Sequence, residues 1–400
     1  MSPLRLFIVL NSLAPGGAER SIVELLPALA GSSIGARIVC LRDREVSLRD
    51  EVRMLGTPVT VLPSGSVLHQ ARALRRLIAA EQPHLIHTSI FDADVIGRLA
   101  AIGGPPVLTS LVNVSYDPSR LADPAVRRWK LALARAIEGV TARHLTDHFH
   151  AIGEEVKRSG VARLGIDPDK ITVIPRGRDR ARLGRRTADR RAAVRAAMHV
   201  RDDQPVVLSV GRQEYQKGQQ HLIHAFERVA ETRPQAVLWI AGREGAASSD
   251  LRAAVAASSA PERILLLGHR ADVADLLCAA DVFAFPSLYE GLGGAVLEAM
   301  ALECPIVASD LAPLREYLTD GHSALLTPPG DAVALAERID WVIDDRTLSA
   351  RLTREAADAF AERFDLADVN RQMAKLYARV AQARLARRYV ELVGAAERDA

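Results

Sequence analysis

Along the chain, short apolar runs rich in Val, Ile and Leu alternate with stretches in which apolar residues return every three or four positions. Strands buried on both faces of a parallel sheet read as the first kind of segment, and the crossover helices covering them read as the second. The pattern therefore predicts doubly wound α/β structure. Strands are expected at residues 4–10, 36–41, 59–62, 85–88 and 107–110, with helices over 22–30 and 70–81 among the connections; 148–152 and 171–174 continue the series. Pro175 and Gly177 then end it. The arginine-rich stretch 178–195 reads as a linker and the first helix of a second unit. The alternation restarts at 206–210 and continues through 237–241, 264–267, 282–285, 305–308 and 324–327. Helical patterns follow Asp331 almost to the C-terminus, more than the second unit requires. The expected division is 1–180, 181–360 and a helical 361–400.

Length agrees with that division, because 400 residues exceed one hydrophobic core. An apolar fraction of 48% and a charged fraction of 25% fit globular domains and exclude a disordered or fibrous chain. No apolar run is long enough to span a membrane. The run at 6–10 is followed by Asn11 and Gly16-Gly17 instead of a small-residue cleavage site, so it reads as the first buried strand. Cys40, Cys278 and Cys304 are widely spaced in apolar surroundings, which points to reduced core thiols and a cytoplasmic setting. Charge is uneven: residues 1–200 carry 30 Lys/Arg against 19 Asp/Glu, and residues 201–400 carry 22 against 30. Such a balance fits an anionic membrane or polyanionic ligand, and equally a set of solvated faces. Nucleic acid is disfavoured, since no binding motif accompanies the basic residues and aromatics are only 4%.

Three loops carry candidate chemistry. Gly211-Arg212-Gln213-Glu214-Tyr215-Gln216-Lys217-Gly218 lies between a buried strand and a helical pattern starting near Gln219. Ligands of α/β folds bind beyond the carboxyl ends of strands, and Arg212 and Lys217 can neutralise a diphosphate, one as a planar fork and one as a point charge. Taken alone, they also fit a solvated loop. Glu290-Gly291-Leu292-Gly293-Gly294-Ala295-Val296-Leu297-Glu298 follows the strand that Pro286 ends. A helix starting near Gly294 would offer free N–H groups to an anion, with Glu298 in its first turns, and a carboxylate can accept hydrogen bonds from ribose or sugar hydroxyls. Each glutamate alone also fits an ordinary loop carboxylate or a dipole-favoured helix position. The third loop, Asn11 to Glu19 with Pro15-Gly16-Gly17-Ala18-Glu19-Arg20, permits close backbone approach to phosphate. It lacks the Gly-Lys-Ser/Thr of a P-loop and the spaced glycines of a dinucleotide site.

In this order the motifs resemble those of glycosyltransferase family 4, retaining enzymes of the GT-B fold. Gly16-Gly17-Ala18-Glu19-Arg20, Gly211-Arg212 through Lys217-Gly218, Ala280-Asp281 through Pro286-Ser287 and Glu290 through Glu298 carry the resemblance, which spans nearly the whole chain. It implies an α/β protein of two Rossmann-like doubly wound parallel-sheet domains with a cleft between them. The first would be the acceptor side, the second would bind the nucleotide sugar, and a C-terminal helix would cross back to the first. Arg212 and Lys217 would grip the donor diphosphate, Glu298 the ribose and Glu290 the transferred sugar. The backbone of Gly16, Gly17, Gly291, Leu292, Gly293 and Gly294 would line the donor, and 268–271 would lie near the base. Glu290, Arg212 and Lys217 are thus the expected catalytic residues.

The implied reaction is hexosyl transfer with retention from a nucleoside diphosphate sugar, a UDP- or GDP-sugar, to a hydroxyl acceptor. That acceptor would be a glycolipid, a polysaccharide precursor or a natural product. No cofactor or metal is expected: two protein cations can replace a divalent ion, and the departing phosphate can take the acceptor's proton. A catalytically inactive sugar-nucleotide-binding protein of the same fold and a sugar-nucleotide epimerase are the rival readings; a dehydrogenase is disfavoured by the missing fingerprint. The chain departs from the family in three places. Residues 109–117 contain no histidine and offer Asn113, Ser115, Tyr116 and Asp117 instead, of which Asn113, Tyr116 and Asp117 are the acceptor-side candidates. Arg176 stands where relatives commonly carry Asn, and Leu292 where many carry an aromatic. Finally, Trp129, Leu133 and Ile137 recur every four residues among Arg127, Arg128, Lys130 and Arg135. That stripe fits either a helix docked on its own sheet or peripheral contact with an anionic membrane.

Overall fold

The structure, a computed structural model, describes residues 3–396 and side chains up to residue 383. A first group of strands comprises β1 (Leu4–Leu10), β2 (Ile34–Cys40), β3 (Val59–Val61), β4 (Leu85–Ser89), β5 (Val107–Leu111), β6 (His148–Ala151) and β7 (Ile171–Val173). They form one parallel sheet in the order β3-β2-β1-β4-β5-β6-β7. The interior strand β1 is buried on both faces from Leu6 onward, and its period of two divides the unit into two cores. Leu6, Ile8 and Leu10 pack with Ile22, Leu26 and Leu29 of the helix Gly17–Gly31, while Phe7 and Val9 face Leu74, Ile78 and Ile96 on the other side.

A second sheet, in the order β10-β9-β8-β11-β12-β13, is built from β8 (Val206–Val210), β9 (Val237–Ala241), β10 (Ile264–Gly268), β11 (Val282–Phe285), β12 (Ile306–Ser309) and β13 (Leu325–Thr327). Its helix Gln219–Thr232 buries Leu222, Ile223, Phe226 and Val229, the stripe expected of a crossover helix. Expected strands agree with observed ones to within two residues at each end.

One compact unit consists of residues 3–116, Arg128–Arg176 and the chain from Ala367 onward; the other consists of Asp117–Arg127 and Gly177–Leu366. The chain leaves the first unit after 176 and returns to it after 366, where the sequence pattern suggested 180 and 361. Asp117–Arg127, read as part of the first domain, belongs to the second unit. The helix Leu366–Ala396 seats Val369, Met373, Tyr377 and Val380 in the core containing Leu6 and Ile8. The last four residues of the expected 361–400 segment lie outside the described residues.

The arginine-rich stretch has a structural use in the second unit. Arg186, Arg191 and Arg195 donate to the carbonyls of Ala279 and Ala280, which end the helix Val273–Ala279. Arg191 and Arg195 also pair with Asp281, whose carboxylate accepts from the N–H of Val206 at 2.8 Å. Cations at a helix C-terminus satisfy orphan carbonyls and oppose the negative end of its dipole. Without this stretch, residues 1–176 carry 22 Lys/Arg against 17 Asp/Glu, so much of the basic excess of the N-terminal half belongs to the second unit.

Candidate active site

In the second sheet β8 pairs with β11, and the strand order reverses between them, with β9 and β10 on one side and β12 and β13 on the other. The loop after β8, Gly211 to Gly218, and the loop after β11, Pro286 to Gly293, therefore leave neighbouring strands at the switch point where open α/β sheets bind ligands. Three contacts lock the loops together. Gly218 has φ of 60°, and a Cβ there would lie 2.0 Å from the carbonyl oxygen of Pro286. Leu288 N–H donates to Gln216 O, and the Gln216 side chain donates to Tyr289 O, both at 2.8 Å.

Between the loops, the Lys217 ammonium donates to Glu290 Oε1 and lies 5.4 Å from the centre of the Phe285 ring. Gly211 leaves room for the lysine stem, since a Cβ there would crowd Lys217 Cδ at 3.2 Å. Glu290 also accepts from Ser287 Oγ at 2.9 Å and is buried, whereas Lys217 is partly open to solvent. An ammonium has three N–H donors and only one is engaged among the described residues, so the site presents a cation beside a fixed carboxylate. Arg212 is half exposed, 3.5 Å from Glu214.

The helix Gly294–Ala301 follows at once. Its N-cap is Gly293, with φ of 79° and no side-chain cap, and a Cβ there would press on Phe285, Val296 and Leu314. Its first N–H groups therefore lack the side-chain acceptor that usually closes a helix start. Tyr317, buried with its ring against Phe364, donates its hydroxyl to Leu292 O and fixes the loop from behind. Burial, and then the charge of Glu290, raise the Tyr317 pKa, which keeps it a donor. Within the helix, Glu298 accepts from Arg178 Nε at 2.8 Å. Ser287, Tyr317 and Arg178 escaped the sequence reading. Ser287 lay inside a quoted motif, but Arg178 sits in an arginine run where nothing local distinguishes a buried side chain from solvated ones.

The other sequence candidates have these places. Gly16 precedes the helix Gly17–Gly31; a Cβ on Gly16 would lie 2.4 Å from Glu19 Oε2, and one on Gly17 would lie 3.6 Å from Arg176 Nη1. Both glycines belong to the first unit, as do Asn113 and Tyr116, whereas Asp117 opens the segment assigned to the second. Asn113 accepts from Val114 N, Tyr116 donates to the buried Glu138, and Asp117 caps the turn Pro118–Ala122 through Ser119. The same segment brings the Arg120 charge near Tyr289, the neighbour of Glu290; burial raises the pKa of that tyrosine. In the helix Arg128–Leu145 the buried residues are Glu138, Gly139 and Ala142, while Trp129, Leu133 and Ile137 are 63%, 53% and 39% exposed. The apolar stripe thus does not cover the sheet. A cavity of about 710 Å³ lined by Arg180, Arg185, Arg186 and Glu303 adjoins the far end of the helix Gly294–Ala301 and is no part of this cluster. No group of three His, Cys, Asp or Glu among the described residues could hold a metal ion.

Comparison with known proteins places these motifs in context. The family model for group 1 glycosyl transferases matches residues 191–359, and that for glycosyltransferase family 4 matches residues 15–182. An α-D-kanosaminyltransferase of Streptomyces kanamyceticus is 29% identical over 193 residues, covering 48% of this chain and half of that relative. A UDP-Gal:α-D-GlcNAc-diphosphoundecaprenol α-1,3-galactosyltransferase of Escherichia coli is 25% identical, covering 83% of this chain and 86% of that protein. HepE from Anabaena, solved with UDP-glucose, superimposes with a TM-score of 0.82 at 22% identity, covering 94% of this chain and 99% of HepE, and so shares the fold.

Proposed function

The chain belongs to the group 1 glycosyltransferases, enzymes of the GT-B fold, and from that membership we propose that it moves a sugar from a nucleoside diphosphate sugar to a hydroxyl acceptor with retention at the anomeric carbon. The carrying observation is the meeting, at one switch point, of the Lys217 cation, the fixed Glu290 carboxylate and a helix start without a side-chain cap. Lys217, Arg212 and the N–H groups at Gly293 and Gly294 bind the diphosphate; Glu290 takes a sugar hydroxyl and Glu298 the ribose. The acceptor oxygen forms its bond to the anomeric carbon on the face the phosphate leaves. The C–O bond to phosphate breaks, and the acceptor's proton passes to the departing phosphate oxygen, whose charge the two cations stabilise. They do so without a divalent ion. The UDP-glucose bound by HepE supports a UDP-sugar, and three free, buried cysteines support a reducing, cytoplasmic setting.

The test is incubation with UDP- and GDP-sugars and candidate acceptors, with released nucleotide and product anomer read by NMR; an inverted anomer would reject the mechanism. Glu298→Gln is expected to weaken binding of the bare nucleotide, whereas Glu290→Gln mainly lowers transfer. Equal loss of nucleotide affinity in both would reject the division of roles.

For the acceptor we propose a lipid-linked hydroxyl reached at an anionic membrane surface. The outward Trp129, Leu133 and Ile137, with Arg128, Lys130 and Arg135 on the same helix, have the composition of an interfacial face. The lipid diphosphate acceptor in the name of the Escherichia coli relative supports the reading. No described helix is long and apolar enough to cross a membrane. Co-sedimentation with anionic vesicles, lost in high salt and in an Arg127/Arg128/Lys130 charge reversal, is the expected result; no association at low salt would favour an acceptor free in solution.

A further inference from the structure

Arg178 is an unusual neighbour for a hydroxyl-binding carboxylate. Its side chain is buried, 7% exposed, and its guanidinium is anchored: Nε donates to Glu298 Oε1 at 2.8 Å and Nη1 to the carbonyl of Gly177 at 2.9 Å. The backbone beneath is anchored as well, since Arg178 N–H donates to Phe364 O at 2.9 Å and a Cβ on Gly177 would run into Leu366. Nη2 reaches the start of the donor-side helix, where a Cβ on Gly294 would lie 2.5 Å away, so the absence of a side chain at 294 makes room for it. Glu298 is 22% exposed, and its other oxygen has no partner among the described residues. A carboxylate free to rotate would spread its acceptor oxygens over several directions, whereas one anchored through a single oxygen presents the other in one direction.

We propose that Arg178 is a positioning residue of the donor site: by holding Oε1 of Glu298 it aims the free oxygen at the ribose hydroxyls and makes the site discriminate for an intact ribose. The proposal rests on the donor reading above, in which Glu298 receives the ribose. A planar guanidinium suits the task because it engages the carboxylate and the Gly177 carbonyl at once, a geometry that lysine cannot reproduce.

The test compares, by titration calorimetry, UDP with 2′,3′-dideoxy-UDP and GDP with 2′,3′-dideoxy-GDP. The wild-type chain is expected to prefer the ribose form of whichever nucleotide binds by about tenfold or more. Glu298→Gln is expected to cut that preference, Arg178→Met to cut it at least about threefold, and Arg178→Lys to restore part of it. Gly294→Ala, which crowds the guanidinium, should act like Arg178→Met and add nothing to it in the double variant; it also covers the case in which Arg178→Met fails to fold. Phosphate contacts are common to both members of each pair and cancel in the ratio. Loss of the preference in Glu298→Gln with full retention in the Arg178 and Gly294 variants overturns the role of Arg178 and leaves the donor reading intact. Retention in Glu298→Gln as well, or no binding of either nucleotide, overturns the donor reading and this proposal with it.

Discussion

Two polar clusters in this protein are built in opposite ways. In the first unit the Tyr377 hydroxyl meets His87 Nδ1 at 3.0 Å, His87 Nε2 meets Ser110 Oγ at 2.6 Å, Ser110 Oγ meets His150 Nδ1 at 2.8 Å, and His150 Nε2 meets the carbonyl of Ile174 at 2.7 Å. A carbonyl can only accept, so His150 Nε2 carries the proton, Nδ1 accepts from Ser110, and Ser110 in turn accepts from His87 Nε2. Every donor in the chain then has one acceptor, and both imidazoles are neutral. Burial, and then the neighbouring His150, push the His87 pKa down to about 3; burial takes His150 to about 4. In the second unit Lys217–Glu290 and Arg178–Glu298 are ion pairs, and among the described residues the Lys217 ammonium keeps N–H donors, and Glu298 one carboxylate oxygen, without a partner. The closed, neutral chain ties the C-terminal helix to its sheet; the open, charged pairs retain the valences a ligand would take up.

If this contrast is right, changes in the two clusters will separate catalysis from stability. The largest effect is expected from Lys217→Ala, with Arg212→Ala beside it. Removing a charge-assisted bond to the diphosphate costs about 1.5–3 kcal/mol, roughly ten- to 150-fold in kcat/KM for the donor. Steady-state kinetics at unchanged fold, monitored by circular dichroism, reads it, and two variants with wild-type kinetics would sink the assignment.

Gly218→Ala comes next. The left-handed conformation alone costs a side chain roughly 1–2 kcal/mol, and the overlap with Pro286 O adds to it, so both urea stability and donor affinity should fall. A variant with normal stability and weak donor binding would mean that the contact between the loops is not structural.

Tyr377→Phe is expected to cost about 1–3 kcal/mol of stability by leaving His87 Nδ1 buried without its donor, with donor KM unchanged. A changed KM with unchanged stability would erase the distinction between the clusters.

The pH profile sharpens the same point. Unfolded histidine takes up a proton near pH 6.5, while the folded His87 and His150 remain neutral until about pH 3 and 4. Stability from these two groups is therefore complete above about pH 6.5 and declines as pH falls toward 4. The decline is at most about 1.4 kcal/mol per pH unit for each. Urea midpoints between pH 7.5 and 4.5 measure it; a flat profile would contradict the neutral chain.

The strands, the two units, the loops that hold Arg212, Lys217 and Glu290 and the helix that carries Glu298 were legible in the sequence, because each is a local matter. Apolar runs on both-face-buried strands, a glycine where φ turns positive and a cation after a strand end all act within a few residues. Strand order was not legible. Only the packed sheet sets β8 beside β11, and that pairing brings residues 211–218 and 286–293 together from segments separated by some seventy positions. The arginine-rich stretch shows the same boundary. By composition all its members are alike, yet Arg191 and Arg195 end on the carbonyls of a distant helix, Arg178 is buried against Glu298, and Arg180 stays exposed. Likewise, the spacing of Trp129, Leu133 and Ile137 marks one side of a helix, but the side that packs is chosen by Glu138, Gly139 and Ala142. Periodicity along a chain determines which residues share a face and where it must turn; which faces and charges meet is decided by the free energy of packing the whole, through partners far apart in sequence.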